Sequence, residues 1–557
     1  MKLIECVPNF SEGRDRTVID AITGEIGRVE GAVLLDVDPG ASTNRTVVTF
    51  AGPPEAVLEA AFRAIRKAAE RIDMAGHRGV HPRMGATDVC PFVPMQGATM
   101  ADCIELAESL GRRVGDELGI PVYLYGEAAR RPERRRLPDI RHGEYEMLPV
   151  KLADPAFAPD FGTAEFNPRS GATVIGAREF LIAWNINLNT RDRRVANRIA
   201  AELRETGRPQ KDASGKTVRG PDGQALRQPG RLRELQGGGW YISDYGRAQI
   251  SFNLMNYRVT GLHTVFDAAC DEAAKLGARV TGSELVGLVP LDALLAAGDH
   301  YLARLGRTTG VPESERIHSA VLSLGLGELA RFDPAQKVVE YGYRGAPKGL
   351  LALRLTAFAD ELSSDSPAPG GGSVAALCGS LSAALSSMVA ALTWSKKGME
   401  SVRPAMGALG TSGQALKDWF LEAVERDTAA FAAVLAARRL PSGDDTERAA
   451  RAGAILAADL EATRVPLGVL ERAVEALDLA LAAARDGNPA SVSDAGVAGL
   501  CALAAAEGAA YNVRINLPAL GTTPEALDIR SRLDRRLTDA RARTVEVRDA
   551  VDRALEG

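Results

Sequence analysis

Hydrophobic and polar positions follow strand-like and helix-like periods in turn along the first three-fifths of the chain. The runs VLLDVD (residues 33–38) and RTVVTFAG (45–52) are rich in β-branched residues and bounded by turn residues, which predicts strands. The following segment, PPEAVLEAAFRAIRKAAERI (53–72), begins with proline and carries apolar residues at helical spacing, which predicts a helix. Strands interleaved with helices predict a layered α/β or α+β fold.

A second α/β unit begins near the strand-like run GAREFLIAWNINL (176–188). After about Arg331 the pattern changes, and VVEYGYRGAPKG (338–349) resembles a linker because glycine and proline break its periodicity. From Leu350 onward, alanine-rich helical patterns replace the β-branched alternation. We therefore predict a multidomain chain with two α/β subdomains at 1–176 and 177–331, a linker at 332–350 and an all-helical bundle at 351–557.

Composition and charge narrow the class of protein. The chain is 46% hydrophobic and 25% charged, as in ordinary soluble globular proteins, and a net charge of -5 offers no basic surplus for binding nucleic acid. Its six cysteines are scattered singly without a C-x-x-C pair, which argues against a disulfide framework and a zinc cage. Glu5 and Pro8 interrupt any apolar signal-peptide core. We expect a cytoplasmic protein.

One uncharged stretch, residues 366–395, is long enough to span a membrane. Alanine, serine and glycine dominate it, and it lacks both an aromatic belt and a long run of Leu, Ile or Phe. A helix that is small and uncharged all round is typical of the centre of a bundle, so we expect a buried helix and no membrane span. Its small faces around Ser380–Ala391 also predict tight packing between subunits of a homo-oligomer.

The segment DMAGHRGVHPRMGATDVCPFVPM (73–95) places His77 and His81 four residues apart. On a helix both rings would share a face and form a metal site, with Asp88 or Cys90 as further ligands, as in a metal-dependent hydrolase. The glycines and the proline that follows His81 oppose helical geometry there. A structural histidine and a single proton-transfer histidine in a loop are the other interpretations, and all three stay open on the residues alone.

Two features of the last third invite a functional interpretation. PAPGGGS (367–373) precedes the uncharged helix, where exposed N–H groups suit an anion, although a flexible hinge is equally compatible and no nucleotide fingerprint is present. Asp427 falls within an apolar helical stripe formed by Phe420, Val424 and Phe431. A carboxylate on an apolar face is either paired in the core or functional, and the pattern does not separate these alternatives.

Long motifs in the first three-fifths of the chain resemble glutamate formiminotransferase. They include ECVPNFSEGR, STNRTVVTF, HRGVHPRMGATDVCPFVP, VYLYGEAA, FNPRSGATVIGAREFLIAWNINL, GLHTVFDAACDEA and SELVGLVPLDALL, in this order. The resemblance implies transfer of a formimino group from N-formimino-L-glutamate to tetrahydrofolate, with release of glutamate. One imidazole that titrates near neutrality can take the proton from folate N5 and return one to the departing nitrogen.

The resemblance also implies roles for particular residues. It assigns proton transfer to His81 and a supporting or structural role to His77. Arg45 and Arg83 become candidate clamps for the two substrate carboxylates, although either can be a structural charge. The implied folate-binding segment, in which the glycines allow close approach, the phenylalanine offers a stacking face and the arginine can meet a glutamyl carboxylate, is Gly162, Thr163, Ala164, Glu165, Phe166, Asn167, Pro168, Arg169, Ser170 and Gly171.

From about Leu351 onward the chain resembles formiminotetrahydrofolate cyclodeaminase, through LTAFADELSSDSPAPGGGSVAALCGSLSAALSSMVAALT, RDTAAFAAV, ATRVPLGVL, GNPASVSDAGVAG and AAYNVRINL. This implies that folate N10 joins the formimino carbon, the ring closes to 5,10-methenyltetrahydrofolate and ammonia leaves. By the family pattern Asp427 is the candidate acid. Candidate substrate-binding residues are Gly370, Gly371, Gly372, Ser373 and Asp494, the last of which can instead be a helix-capping carboxylate.

Together the two resemblances imply a bifunctional enzyme of histidine degradation and one-carbon metabolism, whose first product is the second substrate. Tetrahydrofolate is expected as co-substrate and formiminoglutamate as donor, and no metal or nucleotide is expected. One alternative is formyl transfer with a methenyltetrahydrofolate cyclohydrolase as the second domain. A helical domain that acts only in oligomerisation is an alternative of another class.

Overall fold

The computed structural model describes residues 2–556 apart from Ser42, Val80, Asp222, residues 346–348 and Pro367. The described residues form two compact units, Met1–Ala297 with Val321–Gly345, and Gly298–Ala320 with Ala346–Gly557. Residues 298–320 therefore group with the helical part of the chain. The segment boundaries predicted from the sequence stay a prediction, and residues 346–348 of the predicted linker lie outside the described residues.

The first unit opens with a seven-stranded mixed sheet. Strands β1 and β2 both lie between β4 and β5 and pair antiparallel with them, β3 pairs with the outer edge of β4, and β5, β7 and β6 run parallel. The strand predicted at 45–52 is β4. The strands are β1 (Ile4–Cys6), β2 (Asn9–Phe10), β3 (Val33–Gly40), β4 (Arg45–Gly52), β5 (Thr87–Pro94), β6 (Val122–Gly126) and β7 (Thr173–Ala177).

Helices cover this sheet and close its hydrophobic core. Two long amphipathic helices, α2 and α3, bury their apolar faces with Ile4, Phe50 and Phe92 of the strands. Helix α3 begins with a capping box between Thr99 and Asp102. The helices are α1 (Arg16–Gly27), α2 (Pro54–Arg71), α3 (Met100–Leu118) and the short α4 (Leu137–Arg141) and α5 (Leu148–Ala153).

The second sheet is antiparallel, with the order β11-β12-β8-β13, and a separate short pair joins β9 and β10. VVEYGYRG, part of the predicted linker, contains a helix that contacts β3, and its Val338 and Val339 are fully buried. The elements are β8 (Ile182–Leu188), α6 (Arg193–Leu203), β9 (Arg208–Pro209), β10 (Arg227–Gln228), β11 (Leu235–Ile242), β12 (Arg247–Leu254), α7 (Leu262–Lys275), β13 (Val280–Val286), α8 (Leu291–Arg304), α9 (Glu313–Ser323), α10 (Pro334–Lys337) and α11 (Val339–Arg344).

From Leu355 onward the described elements are helical, and alanine and other small residues dominate their core. Pro466 lies inside the longest helix, α15, and cannot donate to the carbonyl of Ala462, which instead accepts from Nδ2 of Asn516 at 2.8 Å. The helices are α12 (Leu355–Leu362), α13 (Gly371–Ser395), α14 (Arg403–Arg438), α15 (Asp445–Asp486), α16 (Val492–Asn516) and α17 (Pro524–Glu556). The predicted fold class, two α/β segments followed by an all-helical one, is confirmed.

Two stretches among the described residues have the length and composition of a membrane span, Gly371–Ser395 and Pro489–Leu520. About half of each stretch, 56% and 44% of the tested windows, is buried inside the protein. Core helices of soluble proteins pass the same test, so these stretches are weak evidence for a membrane. Nothing else in the described residues points to a membrane.

Candidate active sites

His81 lies in the loop between α2 and β5, next to the first residue of β4. Its Nε2 is 2.8 Å from Nη1 of Arg45. Because a guanidinium only donates hydrogen bonds, Nε2 must carry a lone pair and the ring proton must be on Nδ1. Burial and the charges of Arg45 and Arg141 lower the pKa of His81 to about 4. The imidazole is therefore neutral at pH 7, and it titrates well below the near-neutral range expected from the sequence for a proton-transfer histidine.

His77 has different hydrogen-bond partners from His81 and a different role. Its Nε2 binds the carbonyl oxygen of Asn44 at 3.0 Å, and its Nδ1 accepts from Nε of Arg83 at 3.3 Å. Asn44 has a φ of 50° and also bonds to the carbonyl oxygen of Arg78. The ring of His77 thus ties the loop to the start of β4, as a structural histidine does.

The side chains that a metal site would require are engaged elsewhere. Asp88 is fully buried and forms an ion pair with Arg141 of α4. The thiol of Cys90 lies against that of Cys6, with the sulfurs 3.5 Å apart in the core. Among the described residues no three His, Cys, Asp or Glu side chains are grouped to hold a metal ion. Within the described part of this region, Asp88 and Cys90 thus have partners other than His77 and His81.

The predicted folate-binding segment, residues 162–171, packs against the loop of His81. The backbone N–H of Met74 donates to the carbonyl of Arg169, and that of Ala86 donates to the carbonyl of Ser170, at 2.9 and 2.8 Å. Gly171 has a φ of +66°, and a Cβ there would lie 2.2 Å from the carbonyl oxygen of Met84. The segment and the loop therefore form one surface, although they are about 90 residues apart in sequence.

Within this segment the two side chains singled out from the sequence behave differently. Phe166 stands 5.5 Å from the ring of Tyr145, whose hydroxyl donates to the carbonyl of Pro168 at 2.5 Å. Arg169 donates to the carbonyls of Ala69 and Glu70 at the end of α2. In this conformation Arg169 caps that helix, and its role toward a carboxylate stays a prediction. Arg83 is likewise engaged, by Glu144 at 2.9 Å and Glu146 at 2.6 Å.

In the second unit, Asp427 of α14 faces the first turn of α13. Its Oδ2 accepts from the hydroxyl of Ser373 at 3.0 Å, and the backbone of Ser373 also donates to the carboxylate. A Cβ on Gly372 would lie only 2.1 Å from Oδ1, so any larger residue at this position would displace the carboxylate. Burial raises the pKa of Asp427, and the two hydrogen bonds from Ser373 oppose that rise. The carboxyl group is thus suited to hold a proton longer than an exposed aspartate.

Other candidates in the helical unit separate into near and far residues. Gly370 is the N-cap of α13, and a Cβ on Gly371 would lie 3.6 Å from Nδ2 of Asn512, so α16 borders the same helix start. Asp494 lies on the first turn of α16. It is about 27 Å along the helix from Asn512, so the structure does not bring it to Asp427. The capping alternative suits that position better.

Comparison with known proteins covers nearly the whole chain. The formiminotransferase domain, N-terminal subdomain, matches residues 3–178, the formiminotransferase domain matches 183–344, and formiminotransferase-cyclodeaminase matches 354–535. The formimidoyltransferase-cyclodeaminase of Sus scrofa is 44% identical over 554 residues, 99% of each chain, and that of Mus musculus is 46% identical over 93% of this chain and 92% of its own. The chain belongs to the formimidoyltransferase-cyclodeaminase family. The resemblance of both parts of the chain is thereby confirmed.

A shorter relative matches the helical part of this formimidoyltransferase-cyclodeaminase family member. The methenyltetrahydrofolate cyclohydrolase of Methylorubrum extorquens is 38% identical over 194 residues, which are 35% of this chain and 93% of that one. The helical unit is therefore similar to proteins of two different names.

Sequence reasoning missed several residues that complete the two sites. Around His81 these are Asn44, Arg141, Glu144 and Glu146. Beside Asp427 they are Asn512 and Thr428, whose hydroxyl lies 3.2 Å from that of Ser373. The charged residues that follow the HPRMG motif within about 60 positions are only a weak signal that they contact the loop of His81. Asn512 in AAYNVRINL carries no signal of its own, because its position beside the start of α13 follows only from the antiparallel packing of α13 and α16.

Proposed function

We propose that this chain transfers the formimino group of N-formimino-L-glutamate to tetrahydrofolate and then cyclodeaminates the product. The first step gives 5-formiminotetrahydrofolate and glutamate, and the second gives 5,10-methenyltetrahydrofolate and ammonia. Tetrahydrofolate is a co-substrate in this proposal, and neither step requires a metal or nucleotide. The observation that carries the proposal is the neutral, half-buried imidazole of His81 in the loop that packs against the segment 162–171.

In the transfer step, His81 moves the protons. Folate N5 attacks the amidine carbon and loses a proton to Nε2 of His81, and the resulting imidazolium then protonates the departing nitrogen of glutamate. The segment 162–171 lies beside this loop and supplies the folate surface in the proposal. Arg45 offers a guanidinium to one carboxylate of the donor. His77 holds the loop in place.

In the cyclodeaminase step, Asp427 supplies the acid. Folate N10 attacks the formimino carbon, the five-membered ring closes, and the proton that N10 loses passes to the former imino nitrogen. The proton on Asp427 then passes to the same nitrogen, which leaves as ammonia. The product is a cation, and the carboxylate left behind stabilises it. Ser373 and Gly372 on the first turn of α13 hold the carboxyl group in position.

Separate variants of the full-length protein test the assignment. His81→Gln is expected to lower formimino transfer by at least about 100-fold and to leave ammonia release from 5-formiminotetrahydrofolate unchanged. Asp427→Asn is expected to do the reverse. His142→Gln, at an exposed position near the first site, is the matched control. Formimino transfer by His81→Gln at the wild-type rate would refute the role of His81.

The similarity to a methenyltetrahydrofolate cyclohydrolase favours a second candidate for the helical unit. In that case the chain would transfer formyl, and the helical unit would hydrolyse the methenyl ring without producing ammonia. Wild-type protein supplied with 5-formiminotetrahydrofolate distinguishes the candidates. Ammonia formed together with the methenyl absorbance supports the deaminase, and hydrolysis of added methenyltetrahydrofolate without ammonia supports the cyclohydrolase.

We also propose that the protein is a cytoplasmic homo-oligomer. Leu381, Met388 and Leu392 lie at helical spacing on α13 and are 49%, 39% and 47% exposed, which leaves an apolar stripe uncovered in the single chain. A second copy would remove this stripe from water. A mass by light scattering equal to that of one chain would overturn the proposal.

A further inference from the structure

Two guanidinium groups, those of Arg45 and Arg141, act on the charge of His81, and Arg83 lies two residues further along the same loop. Arg83 and Arg141 are neutralised by carboxylates. Arg83 is paired with two glutamates, and Arg141 is paired with the buried carboxylate of Asp88. Arg45 has no carboxylate within ion-pair distance among the described residues. The site therefore holds one cation without a counter-ion, next to its base.

Most of the hydrogen-bond donors of the Arg45 guanidinium have no acceptor among the described residues. Among the described residues His81 Nε2 is its side-chain partner, so one of its five N–H donors has an acceptor within the protein. A neutral ring nitrogen is a weaker acceptor for a cation than a carboxylate, which takes two parallel bonds. The arginine is consequently prepared to exchange the imidazole for an arriving carboxylate.

The same bond has a consequence for His81. Nε2 is the nitrogen with the lone pair, since the guanidinium of Arg45 can only donate to it and the ring proton is therefore on the buried Nδ1. While Arg45 donates to Nε2, that lone pair is occupied. The imidazole is then neutral but cannot accept a proton at Nε2.

We propose that Arg45 is a carboxylate-operated latch on His81: it occupies Nε2 in the free enzyme, and a carboxylate of the amino-acid donor takes over the guanidinium and releases the base. The inference rests on the proposed role of His81 in proton transfer. One hydrogen bond is exchanged for a bidentate ion pair, and no proton moves in the exchange. Proton abstraction from folate follows only when the donor is bound.

The latch predicts a change in the titration of His81. Arg45 and Arg141 oppose protonation of His81, while Glu144 and the backbone of Pro82 favour it, and Arg45 itself is also influenced by Asp88 and Asp38. Burial is the largest cause of the lowered pKa of His81 and persists when the donor binds, whereas a bound carboxylate neutralises Arg45 and frees Nε2. The pKa of His81 therefore rises above about 4 but stays below its ordinary value. Because a base works only when unprotonated, activity falls as the pH drops through that pKa.

Wild-type kinetics provide the first test. The acid limb of kcat/KM reports His81 in the free enzyme, and that of kcat reports it with the donor bound. The limb of kcat is expected about one to two pH units above that of kcat/KM. In Arg45→Gln both limbs are expected to coincide at the higher pH, with a raised KM for the donor. Coincident limbs in the wild type would overturn the latch.

A second test does not depend on turnover. Diethyl pyrocarbonate modifies unprotonated imidazole, and peptide mass spectrometry follows His81 as a function of pH. Arg45→Gln, or sodium L-glutamate added to the wild type in place of sodium chloride, is expected to raise the pH midpoint by at least about one unit. An unchanged midpoint in both arms would overturn the latch, even if His81→Gln abolishes transfer. If His81→Gln instead transfers normally, the proposed function fails while the midpoints still report on the latch.

Controls separate the latch from a general loss of charge or fold. Arg78→Gln removes an exposed charge from the same loop, where Arg78 bonds to the carbonyls of Ala75 and His77, and is expected to leave the midpoint of His81 unchanged. Arg45→Lys keeps the charge without the planar fork and is expected to give an intermediate midpoint. A midpoint for Arg78→Gln that matches that of Arg45→Gln would contradict a specific latch. If Arg45→Gln does not fold, the wild-type arms decide alone.

Discussion

Burial acts on a basic group, the imidazole of His81, at one site and on an acidic group, the carboxyl of Asp427, at the other. At His81, burial and two neighbouring arginines push the imidazole toward its neutral form. At Asp427, burial pushes the carboxyl group toward its neutral form, and the hydrogen bonds from Ser373 oppose that effect. One site thereby gains a base and the other an acid. The difference lies in which group is buried, because desolvation disfavours the charged form of both.

The sites also differ in what holds them. Charged pairs between distant segments position the loop of His81, among them Arg141 with Asp88 and Arg83 with Glu146. Close packing of small residues positions Asp427, with Gly372 in contact with its carboxylate. The first site should therefore fail when a charge is removed. The second should fail when a methyl group is added.

Removing Arg141 tests the dependence of the first site on charge pairs and has the largest expected effect. Arg141→Met leaves Asp88 buried without its partner and is expected to lower the free energy of unfolding of the first unit by about 3 kcal/mol. Formimino transfer is lost with it. Adding Asp88→Asn should restore part of the stability, because no unpaired charge remains. Denaturant unfolding measures both variants.

The control for Arg141→Met is Arg136→Met on the same segment, since Arg136 is exposed and lies 3.9 Å from Asp139. That substitution should change the free energy of unfolding by less than about 0.5 kcal/mol. Equal losses for the two arginines would remove the distinction between buried and exposed pairs.

Adding one methyl group tests the second site. Gly372→Ala places a Cβ against the carboxylate of Asp427 and is expected to lower ammonia release by about 100-fold, with formimino transfer unchanged. Gly371→Ala is a matched control, because its Cβ meets only Asn512 at 3.6 Å. It should retain activity within about twofold. Similar activities of the two variants would show that contact with Gly372 does not position the acid.

Removing a hydroxyl gives the smallest expected effect and sharpens the contrast in pKa. Ser373 lowers the pKa of Asp427, so Ser373→Ala raises it further. An acid works only when protonated, and the alkaline limb of ammonia release should therefore move to higher pH, while the maximal rate falls about fivefold. Ser380→Ala, whose hydroxyl bonds to the carbonyl of Lys417, should leave the limb in place. A limb displaced to lower pH would contradict the assignment.

Local patterns were sufficient for elements whose own residues determine them. Strand β4 forms at the predicted residues 45–52, and helix α2 starts at Pro54. Strand β11 was missed because LQGGGWYI has three consecutive glycines, which usually weaken a strand. Tertiary packing favours glycine at two of these positions: a Cβ on Gly237 would meet the ring of Phe252, and one on Gly239 would meet the backbone of α6.

The site residues divide in the same way. Family motifs point to His81 and Asp427, and the structure brings the predicted segment 162–171 to the first of them. The partner of Asp88, however, is 53 residues away in a short helix, and no periodicity predicts that pairing. Arg169 shows the converse limit, since its residue type suits a carboxylate but its guanidinium binds the end of α2.

Pro466 leaves a backbone carbonyl of α15 without its helical partner, and a side chain of α16 binds that carbonyl. The vacant acceptor on Ala462 can be used by a side chain at only one height along α15, and Asn516 takes it. Asn512, one turn earlier on α16, borders the glycine-rich start of α13. A slip of α16 by one residue would forfeit that bond and move Asn512 by about 1.5 Å. The missing N–H of Pro466 in α15 thus helps to determine where α16 lies along its axis, and with it the position of Asn512 beside the start of α13.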